Sequence, residues 1–354
     1  MAEALTSTAT WWIARHWALV AIALTVFSLL LFLAIMLAKY VRICLNIFCD
    51  TPLPQGLEPV DFRVVTGEVV RFRSFDGTSL RGMHVKRSRR GPSRGAIIFC
   101  HEFGADMYSC GRYVRPLVDA GFDVFTFDFR GHGESSQTKG YKSLQWPSDK
   151  EMEDVLGACA YVEAGLEAEG RPPQVGIFGM SRGAGAGLLA ASSDPHIQCI
   201  VCDGAFSTDT TLVALMKKWA HIFARVRLVY ENHSDHFWNL LLWLLMRFAQ
   251  PRQGCRYPSV RKALQQMQPR PILFIHGERD RYIEQDQTRL LYAAAPKPRY
   301  LWIVPGAKHN QSANVEPEEY AARNVAFFRK YLAEEDVEES QITAPAPEGE
   351  ADVA

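Results

Sequence analysis

Short apolar runs alternate with segments of helical spacing along most of the chain, and this alternation constrains the fold more than any other feature. Unbroken apolarity is typical of a parallel strand whose two faces are both covered by helices. Helical composition and spacing mark the intervals 151–168, 183–191 and 286–295. The chain is therefore predicted to be an α/β protein with an open, mostly parallel, doubly wound sheet. The six apolar runs of strand length are 96–101, 123–129, 174–180, 197–203, 271–277 and 299–306.

The predicted sheet begins with an antiparallel element. Residues 69–75 and 80–85 have strand composition and flank the dipeptide Asp76-Gly77. Asp-Gly between two such runs is a strong signal for a tight hairpin turn. We therefore expect a β-hairpin ahead of the parallel strands.

A long interval interrupts the strand–helix rhythm. Asp203 and Pro271 are separated by roughly 65 residues, whereas a strand-to-helix connection usually takes only a few. Residues 212–223 and 237–249 within it are apolar and helical in spacing, and the second run is too short to cross a bilayer. Residues 205–268 are therefore predicted to form a helical cap over the carboxyl edge of the sheet. An alternative is a cap whose apolar face also contacts lipid or an acyl chain.

An uncharged run of 22 residues, 17–38, lies near the N-terminus. As a helix it would span about 33 Å, enough for a hydrocarbon core of about 30 Å. A secretory signal would have an apolar region of about 7–15 residues and a small-x-small cleavage site, neither of which is present. Residues 17–38 are therefore predicted to be an uncleaved transmembrane helix, with residues 1–16 before it and a proline-containing linker over residues 39–64. The alternatives are a signal peptide and a buried core helix.

Three features indicate the side of the membrane that the globular domain occupies. Lys39 and Arg42 follow the apolar run, whereas Arg15 and the amino terminus precede it. The positive charges on the two sides are nearly equal in number, and the positive-inside rule leans slightly toward a cytoplasmic globular domain. A glycosylation sequon begins at Asn310, where a glycan would crowd a candidate catalytic residue. Apart from Cys44 and Cys49, which follow the apolar run, the six other cysteines have no framework spacing and suit a reducing compartment.

The charge of the chain is balanced but unevenly distributed. Residues 334–354 hold eight acidic side chains and no basic ones, which leaves 39 basic against 31 acidic side chains in the rest. The acidic segment is predicted to be a disordered tail. The mildly basic body favours anionic surfaces, including lipid headgroups. No basic stripe interleaved with aromatics is present, so nucleic acid is not expected as a partner.

A sharp turn after one strand carries the first candidate catalytic residue. The segment Gly179-Met180-Ser181-Arg182-Gly183 has the G-x-S-x-G pattern, follows an apolar strand and opens a run of small residues. Such a nucleophile elbow needs small neighbours because the turn is tight and the serine must project above the sheet. Ser181 is therefore the candidate nucleophile. The alternative is a glycine-rich turn before a helix.

Two further strand ends supply an acid and a base. Asp280 follows the strand 271–277 and His309 follows the strand 299–306, which places both at the carboxyl edge of a parallel sheet. A serine hydroxyl needs an adjacent base, and on this architecture the acid and the histidine follow the serine in that order. Asp280 and His309 are the candidate acid and base. Glu278 is a weaker candidate acid, and His276 is expected to pack structurally.

The negative charge of an acyl-transfer intermediate requires two preorganised backbone N–H donors. One is expected from Arg182, the residue after the nucleophile. The other is expected from the loop after the strand 96–101, with Phe103 as the favoured residue. Neither a metal nor an organic cofactor is expected, because the glycine-rich run 183–187 is no dinucleotide fingerprint and no P-loop or zinc-protease motif occurs.

These motifs together resemble the α/β-hydrolase superfamily, in its serine-aminopeptidase-like or monoacylglycerol-lipase-like branch. The resemblance covers about residues 65–333. It implies the α/β-hydrolase fold, a triad of Ser181, Asp280 and His309, and a cap inserted after the sixth strand. The motifs that carry it are HEFGAD (101–106), FDFRGHGESS (127–136), GMSRGAG (179–185), HGERD (276–280) and GAKHN (306–310).

The sequence departs from the family pattern at Glu102, which stands where HG-x-G motifs have their first glycine. The sequence is similar in this to dienelactone-hydrolase-like relatives, in which a glutamate contacts the nucleophile. Glu102 is therefore a candidate modulator of the site. The alternative is an ion pair with Arg182 or Arg130, the latter expected to have a structural role together with His132.

The sequence thus predicts a membrane-anchored serine hydrolase that cleaves carboxylic esters, lipid-like acyl esters in particular. The bilayer, through residues 17–38, and a small-molecule or lipid ester are the expected partners. An acyl-protein thioesterase or a serine aminopeptidase would use the same triad, and the latter would need acidic cap residues such as Glu231 and Asp235. From a different class, a non-catalytic membrane-anchored binding protein is also an alternative.

Overall fold

Eight strands form a single sheet in the part of the chain that the computed structural model describes, residues 2–50, 65–88, 91–223 and 233–342. The observed strands agree with the predicted runs to within one or two residues at most ends. They are β1 (Glu68–Arg73), β2 (Ser79–Val85), β3 (Ala96–Cys100), β4 (Asp123–Phe127), β5 (Val175–Met180), β6 (Ile197–Asp203), β7 (Ile272–Gly277) and β8 (Arg299–Val304).

The order of the strands in the sheet is β1-β2-β4-β3-β5-β6-β7-β8. Strand β2 pairs antiparallel with both β1 and β4, and every other pairing is parallel. The hairpin turns at Asp76-Gly77, where Gly77 takes a φ of 87°. The α/β class, the leading hairpin and the mostly parallel, doubly wound sheet are confirmed.

Helices cover the sheet on both faces, as the apolar strands require. Helices α3, α4, α7 and α8 enclose one buried apolar cluster, and α2 and α10 enclose the other. All residues of β3, β5 and β7 are buried. The helices are α1 (Ala2–Asp50), α2 (Arg115–Ala120), α3 (Asp149–Ala168), α4 (Arg182–Ala191), α5 (Thr208–Phe223), α6 (Asp235–Gln253), α7 (Val260–Gln266), α8 (Gln285–Ala294), α9 (Ser312–Val315) and α10 (Pro317–Tyr331).

The insertion between β6 and β7 divides into two parts. Helices α5 and α6 pack on each other and on α1 as a cap. Helix α7 instead lies against the sheet, because Val260 and Leu264 are buried in the same cluster as α4. The predicted cap of residues 205–268 is therefore too long at its carboxyl end, where α7 belongs to the body of the domain.

Helix α1 continues well past the predicted transmembrane segment. Residues 39–50, assigned to a linker from the prolines that follow, are helical up to Asp50. Val41, Leu45 and Phe48 recur at helical spacing, are buried, and pack in one cluster with Trp238 and Leu241 of α6. The linker prediction is therefore wrong for residues 39–50, because the first proline that could end the helix is Pro52. The rest of the predicted linker, residues 51–64, lies outside the described residues.

Residues 16–35 of α1, which precede this packed end, are exposed. Residues 16–49 have a mean hydropathy of 2.9 over their most apolar window, and none of that window is buried. By length and composition the helix can cross a membrane, and a signal sequence would pass the same test.

The acidic tail is partly ordered. Residues 334–342, predicted to be disordered, form an irregular segment followed by a 3-10 helix at Glu339–Gln341. Val337 and Ile342 are buried beside α10, and Glu335 accepts hydrogen bonds from Arg94 and Arg329 at 2.6 Å each. The prediction is wrong for this stretch because apolar residues among the acids dock it on the body. Residues 343–354 lie outside the described residues.

Candidate active site

The turn between β5 and α4 has the geometry of a nucleophile elbow. Ser181 has a φ of 51° and a ψ of −114°, a conformation that is strained for a residue with a side chain. A Cβ atom on Gly179 would lie 2.5 Å from the Cα atom of Ala184. A Cβ atom on Gly183 would lie 2.3 Å from the carbonyl oxygen of Cys100. The small residues of the motif are therefore required for α4 to pack directly against the ends of β3 and β5.

Three side chains from different strand ends meet above this turn. The hydroxyl of Ser181 lies 2.8 Å from Nε2 of His309. The opposite ring nitrogen of His309, Nδ1, lies 2.5 Å from a carboxylate oxygen of Asp280. The structure thus brings the predicted nucleophile, base and acid into one continuous hydrogen-bonded chain.

The acid is held in place by its own loop. One oxygen of Asp280 accepts hydrogen bonds from the backbone N–H groups of Tyr282 and Ile283, at 2.8 and 3.0 Å, which leaves the other oxygen for the imidazole. Burial opposes the charged carboxylate, but His309, His276 and the backbone N–H of Ile283 together outweigh burial, and the pKa of Asp280 is below its usual value. Glu278, the weaker candidate, instead accepts a hydrogen bond from the backbone of Gly306 at 2.8 Å.

The base is tuned by surrounding carboxylates. Burial disfavours the imidazolium form of His309, but the charges of Asp280, Asp203 and Glu102 favour it more strongly. The net result is a pKa of His309 above its ordinary value of 6.5. The arrangement therefore favours the protonated form of His309.

Asp203 is a further acidic residue at this edge that sequence reasoning missed. It is the last residue of β6, is buried, and accepts hydrogen bonds from Tyr320 at 3.0 Å and from Ser312 at 3.2 Å. Burial raises its pKa to about 7. One sequence signal could have identified Asp203. It is a polar residue at the carboxyl end of a predicted parallel strand, and the carboxyl ends of these strands lie at the edge where Ser181 is expected. Its hydrogen-bond donors come from α9 and α10, which no motif indicated.

The two residues proposed as oxyanion donors are in contact through their side chains. Arg182 is the first residue of α4, where a backbone N–H has no partner within the helix. Phe103 lies in the loop after β3, and its ring lies 5.0 Å from the guanidinium carbon of Arg182. That guanidinium is itself buried and donates to Ser143 at 2.7 Å and to the carbonyl oxygen of Leu144 at 3.0 Å. The side chain of Arg182 thus secures the loops around the turn.

Glu102 is buried but does not pair with Arg182 or Arg130, so the alternative of an ion pair with one of these arginines is wrong. The carboxylate lies 3.9 Å from Arg112, and Ser109 donates to it at 3.5 Å. Both partners belong to the 3-10 helix Met107–Arg112, which folds back under the loop. Burial raises the pKa of Glu102. Its charge is one of those that raise the pKa of His309.

Three other residues named from the motifs have structural contacts. Arg130 is fully buried and forms ion pairs with Asp154 at 2.6 Å and Asp76 at 2.7 Å. His132 accepts a hydrogen bond from Arg182 at 3.3 Å, and burial lowers its pKa to about 3, so the ring is neutral. His276 is buried and donates from Nε2 to the carbonyl oxygen of Ile283 at 3.0 Å.

Among the described residues, one group has donor atoms close enough together for a metal ion. It consists of Cys159, Glu163 and Asp194, whose ligand atoms lie within 4.8 Å of one another. Glu163 also lies 3.2 Å from the ring of His196. Asp194 and His196 precede β6, so the group lies at the amino end of the strands, opposite to Ser181. It takes no part in the geometry described above.

Comparison with known proteins agrees with the fold. Residues 95–243 match the family defined by the alpha/beta hydrolase fold. The chain is 27% identical over 250 residues to the uncharacterised protein YfhR of Escherichia coli O157:H7, across 69% of this chain and 74% of YfhR.

Solved structures with the same fold also superpose on this chain. The esterase Pf2001 of Pyrococcus furiosus superposes with a TM-score of 0.55 at 21% identity, covering 80% of this chain and all of that one. A membrane phospholipase A described as a bacterial virulence factor has a TM-score of 0.51 at 17% identity, covering 88% of this chain and 96% of that one.

The sheet order, the elbow after β5 and the insertion after β6 are those of the α/β-hydrolase fold. The chain therefore has this fold, and residues 95–243 match the family named for it. The narrower branch inferred from the motifs remains a prediction.

Proposed function

We propose that this protein is a membrane-anchored serine hydrolase that cleaves carboxylic esters with lipid-like acyl groups. The observation that carries the proposal is the hydrogen-bonded chain from Ser181 through His309 to Asp280. The esterase Pf2001 and the membrane phospholipase A, which share the fold, support the same reaction class.

The first half of the reaction forms an acyl-enzyme. Oγ of Ser181 attacks the ester carbonyl while Nε2 of His309 takes the hydroxyl proton. Asp280 holds Nδ1–H of the imidazole, which keeps Nε2 free to accept and stabilises the resulting cation. The backbone N–H groups of Arg182 and Phe103 are the proposed donors to the oxyanion. The imidazolium then protonates the leaving alcohol as the ester C–O bond breaks.

The second half releases the acid. A water molecule gives one proton to Nε2 of His309 and attacks the acyl carbonyl of the intermediate. The bond between the acyl carbon and Oγ of Ser181 breaks, and His309 returns the proton to the serine. One ester and one water thus yield one carboxylic acid and one alcohol, and the enzyme is restored.

A lipid-like substrate is proposed because of where the site would lie. The exposed apolar part of α1 is long enough to cross a bilayer, and the packed end of the same helix is built into the cap. Because no described hinge separates anchor and cap, anchoring α1 would hold the cap at the membrane surface. The active site would then face a high local concentration of acyl lipids.

We place the hydrolase domain on the cytoplasmic side. All eight cysteines are free and buried, in keeping with a reducing compartment. Asn310, the first residue of the sequon beside the base, is also buried. A glycan on its side chain would require the loop that carries His309 to move.

The three alternative functions would each require different structural features. An aminopeptidase needs an acidic pocket for the substrate amine, but Asp235 is exposed and pairs with Lys217 at 3.0 Å, and Glu231 lies outside the described residues. An acyl-protein thioesterase would use the same three side chains. A non-catalytic binding protein would not need the 2.8 Å contact between Ser181 and His309.

The test is hydrolysis of a matched substrate panel by the full-length protein in detergent. The panel pairs a p-nitrophenyl acyl ester with an acyl thioester and an aminoacyl amide, and Ser181→Ala serves as the control. We expect ester cleavage that the alanine variant loses by several orders of magnitude. Faster thioester or amide cleavage would change the assigned substrate, and equal rates for the variant would refute the mechanism.

A further inference from the structure

Asp203 is bound to the nucleophile turn through its main chain. Strands β5 and β6 pair in register as far as Met180 and Asp203. The next backbone N–H group, that of Ser181, donates to the carbonyl oxygen of Asp203 at 2.7 Å. Ser181 has a strained backbone, and such a conformation persists only where the surrounding structure holds it. The last residue of β6 therefore helps to fix the position of the nucleophile.

The side chain of Asp203 is bound to the segment that carries the base. Ser312 stands three residues after His309, and its buried hydroxyl donates to one carboxylate oxygen of Asp203 at 3.2 Å. The chain around His309 makes a tight turn, in which the backbone N–H of Gln311 donates to the carbonyl oxygen of Lys308 at 3.1 Å. Because this turn is short, fixing Ser312 also limits the positions that the imidazole can take.

The carboxylate of Asp203 is held from a third element as well. Tyr320 of α10 donates its hydroxyl to the second carboxylate oxygen at 3.0 Å. Asp203, Ser312 and Tyr320 are each no more than 3% exposed, so water does not compete for these hydrogen bonds. A buried carboxylate oxygen that loses its donor stays away from water, which makes the loss costly. Asp203 is therefore a fixed junction between β6, α9 and α10.

The charge of Asp203 also acts on the base. Burial raises the pKa of Asp203 to about 7, so the group is partly ionised near neutral pH. Its ionised form favours the imidazolium form of His309. The titratable groups that face this pair from the neighbouring elements include Asp280, Glu102, His276, Tyr113, Tyr320 and Cys202. Asp203 thus reaches His309 through a hydrogen-bonded path and through its charge.

We infer that Asp203 is a positioning residue of the hydrolase, an inference that rests on the proposed function. Its main chain holds the turn of Ser181 and its side chain holds the turn of His309, and the 2.8 Å contact between these two residues depends on both. This role differs from that of Asp280, which bonds the imidazole itself. Asp203 acts through the residues on either side of the contact.

The first experiment removes only the link to the base. Ser312→Ala deletes the hydroxyl that donates to Asp203. Ser74→Ala is the matched control, because Ser74 is also buried and its hydroxyl accepts a hydrogen bond from Arg130 at 2.8 Å. Ser74 follows β1, which lies four strands away from β5 in the sheet. Urea unfolding of both variants shows whether they lose comparable stability.

The readout is hydrolysis of p-nitrophenyl butyrate by the full-length protein in detergent. We expect Ser312→Ala to lower kcat about tenfold and to leave KM within about twofold of wild type, because a misplaced base slows the chemical step and not substrate binding. Labelling of Ser181 by a fluorophosphonate should slow by a similar factor, and this measurement needs no turnover. Ser74→Ala should keep the wild-type kcat and the wild-type labelling rate.

The second experiment removes the charge and keeps the shape. Asp203→Asn has the same size and keeps one accepting oxygen. We expect the acid-side midpoint of the pH profile of kcat/KM to move to lower pH, because one of the charges that favour the imidazolium is lost. Ser74→Ala should leave this midpoint in place. A purely structural role of Asp203 would lower the activity without moving the midpoint.

The role of Asp203 is overturned if Ser312→Ala has the same kcat as Ser74→Ala, or if the midpoint of Asp203→Asn lies at or above that of wild type. A failure of the proposed function looks different. If the wild-type protein is labelled by the probe but cleaves no ester, the proposed reaction fails and the labelling rates still test Asp203. If the wild-type protein is not labelled either, both proposals fail.

Discussion

Gly204 and His309 meet at close range on the carboxyl edge of the sheet. A Cβ atom on Gly204 would lie 3.1 Å from Cε1 of His309 and 3.4 Å from Nδ1. Gly204 also has a φ of 65°, which residues with a side chain rarely adopt. The end of β6 thus leaves just enough space for the imidazole to reach both Ser181 and Asp280.

Gly204→Ala should displace the imidazole and lower kcat/KM for ester hydrolysis about tenfold or more, because a shift of a few tenths of an ångström disturbs both of its hydrogen bonds. Gly170→Ala is the matched control, since Gly170 has a φ of 72° but no neighbouring atom within 4 Å of its Cβ position. It carries the same backbone strain without the contact. Equal kinetic losses in the two variants would show that strain, and not displacement, is responsible.

The acid limb of the pH–rate profile should report His309. Only the neutral imidazole accepts the serine proton, so kcat/KM should rise with pH and reach half its maximum above pH 6.5, because the pKa of His309 is raised. Glu102→Gln removes one of the charges that favour the imidazolium, so the midpoint should move to lower pH. Glu284→Gln, which removes an exposed carboxylate paired with Lys218, should leave it in place. A midpoint that moves upward in Glu102→Gln would contradict this electrostatic account.

Asp280→Asn should abolish most activity while keeping the fold. An amide at this position no longer fixes the proton on Nδ1 of His309, and the corresponding change in serine proteases lowers kcat about 10⁴-fold. Glu278→Gln should stay within about twofold of wild type, because Glu278 contacts the backbone of Gly306 and not the imidazole. A larger loss in Glu278→Gln than in Asp280→Asn would reassign the acid. Steady-state kinetics, with circular dichroism of each variant, decides between them.

Arg130→Met should destabilise the domain by about 3–5 kcal/mol, because it leaves Asp154 buried without its cationic partner. The pKa of Asp154 is raised to about 6 by burial, despite the ion pair. Since the unpaired carboxyl must ionise at high pH, the loss should be larger at pH 8 than at pH 5. Replacing both residues, as Arg130→Met with Asp154→Leu, should recover part of the stability in urea unfolding. A loss that is independent of pH would mean that the cost lies in packing.

The sequence predicts the sheet and the three meeting side chains well, for a shared physical reason. Parallel strands point their carboxyl ends to one edge, so a serine, an aspartate and a histidine that each follow such a strand must gather there. The glycines of the G-x-S-x-G pattern predict the tight turn that carries Ser181. Strand direction and turn composition can both be read from the sequence, and together they place Ser181, His309 and Asp280 at one edge of the sheet.

What the sequence did not predict depends on contacts between distant segments. The pairing of Glu102 with Arg112 requires a 3-10 helix to fold under the loop, and the hydrogen bond from Tyr320 to Asp203 joins residues 117 positions apart. Residues 39–50 have helical spacing, but only burial against α6 decides that they continue the helix instead of forming a linker. Tertiary packing, which no local pattern reports, decided each of these cases.

The most direct test of the central claim is to map the covalent adduct of a fluorophosphonate probe. Such probes react with a serine only when an adjacent base activates it. We predict one phosphonylated peptide, the one containing Ser181, in the wild-type protein, no adduct in Ser181→Ala, and strongly slowed labelling in His309→Ala. An unlabelled wild-type protein, or an adduct on any other residue that persists in Ser181→Ala, would contradict the account.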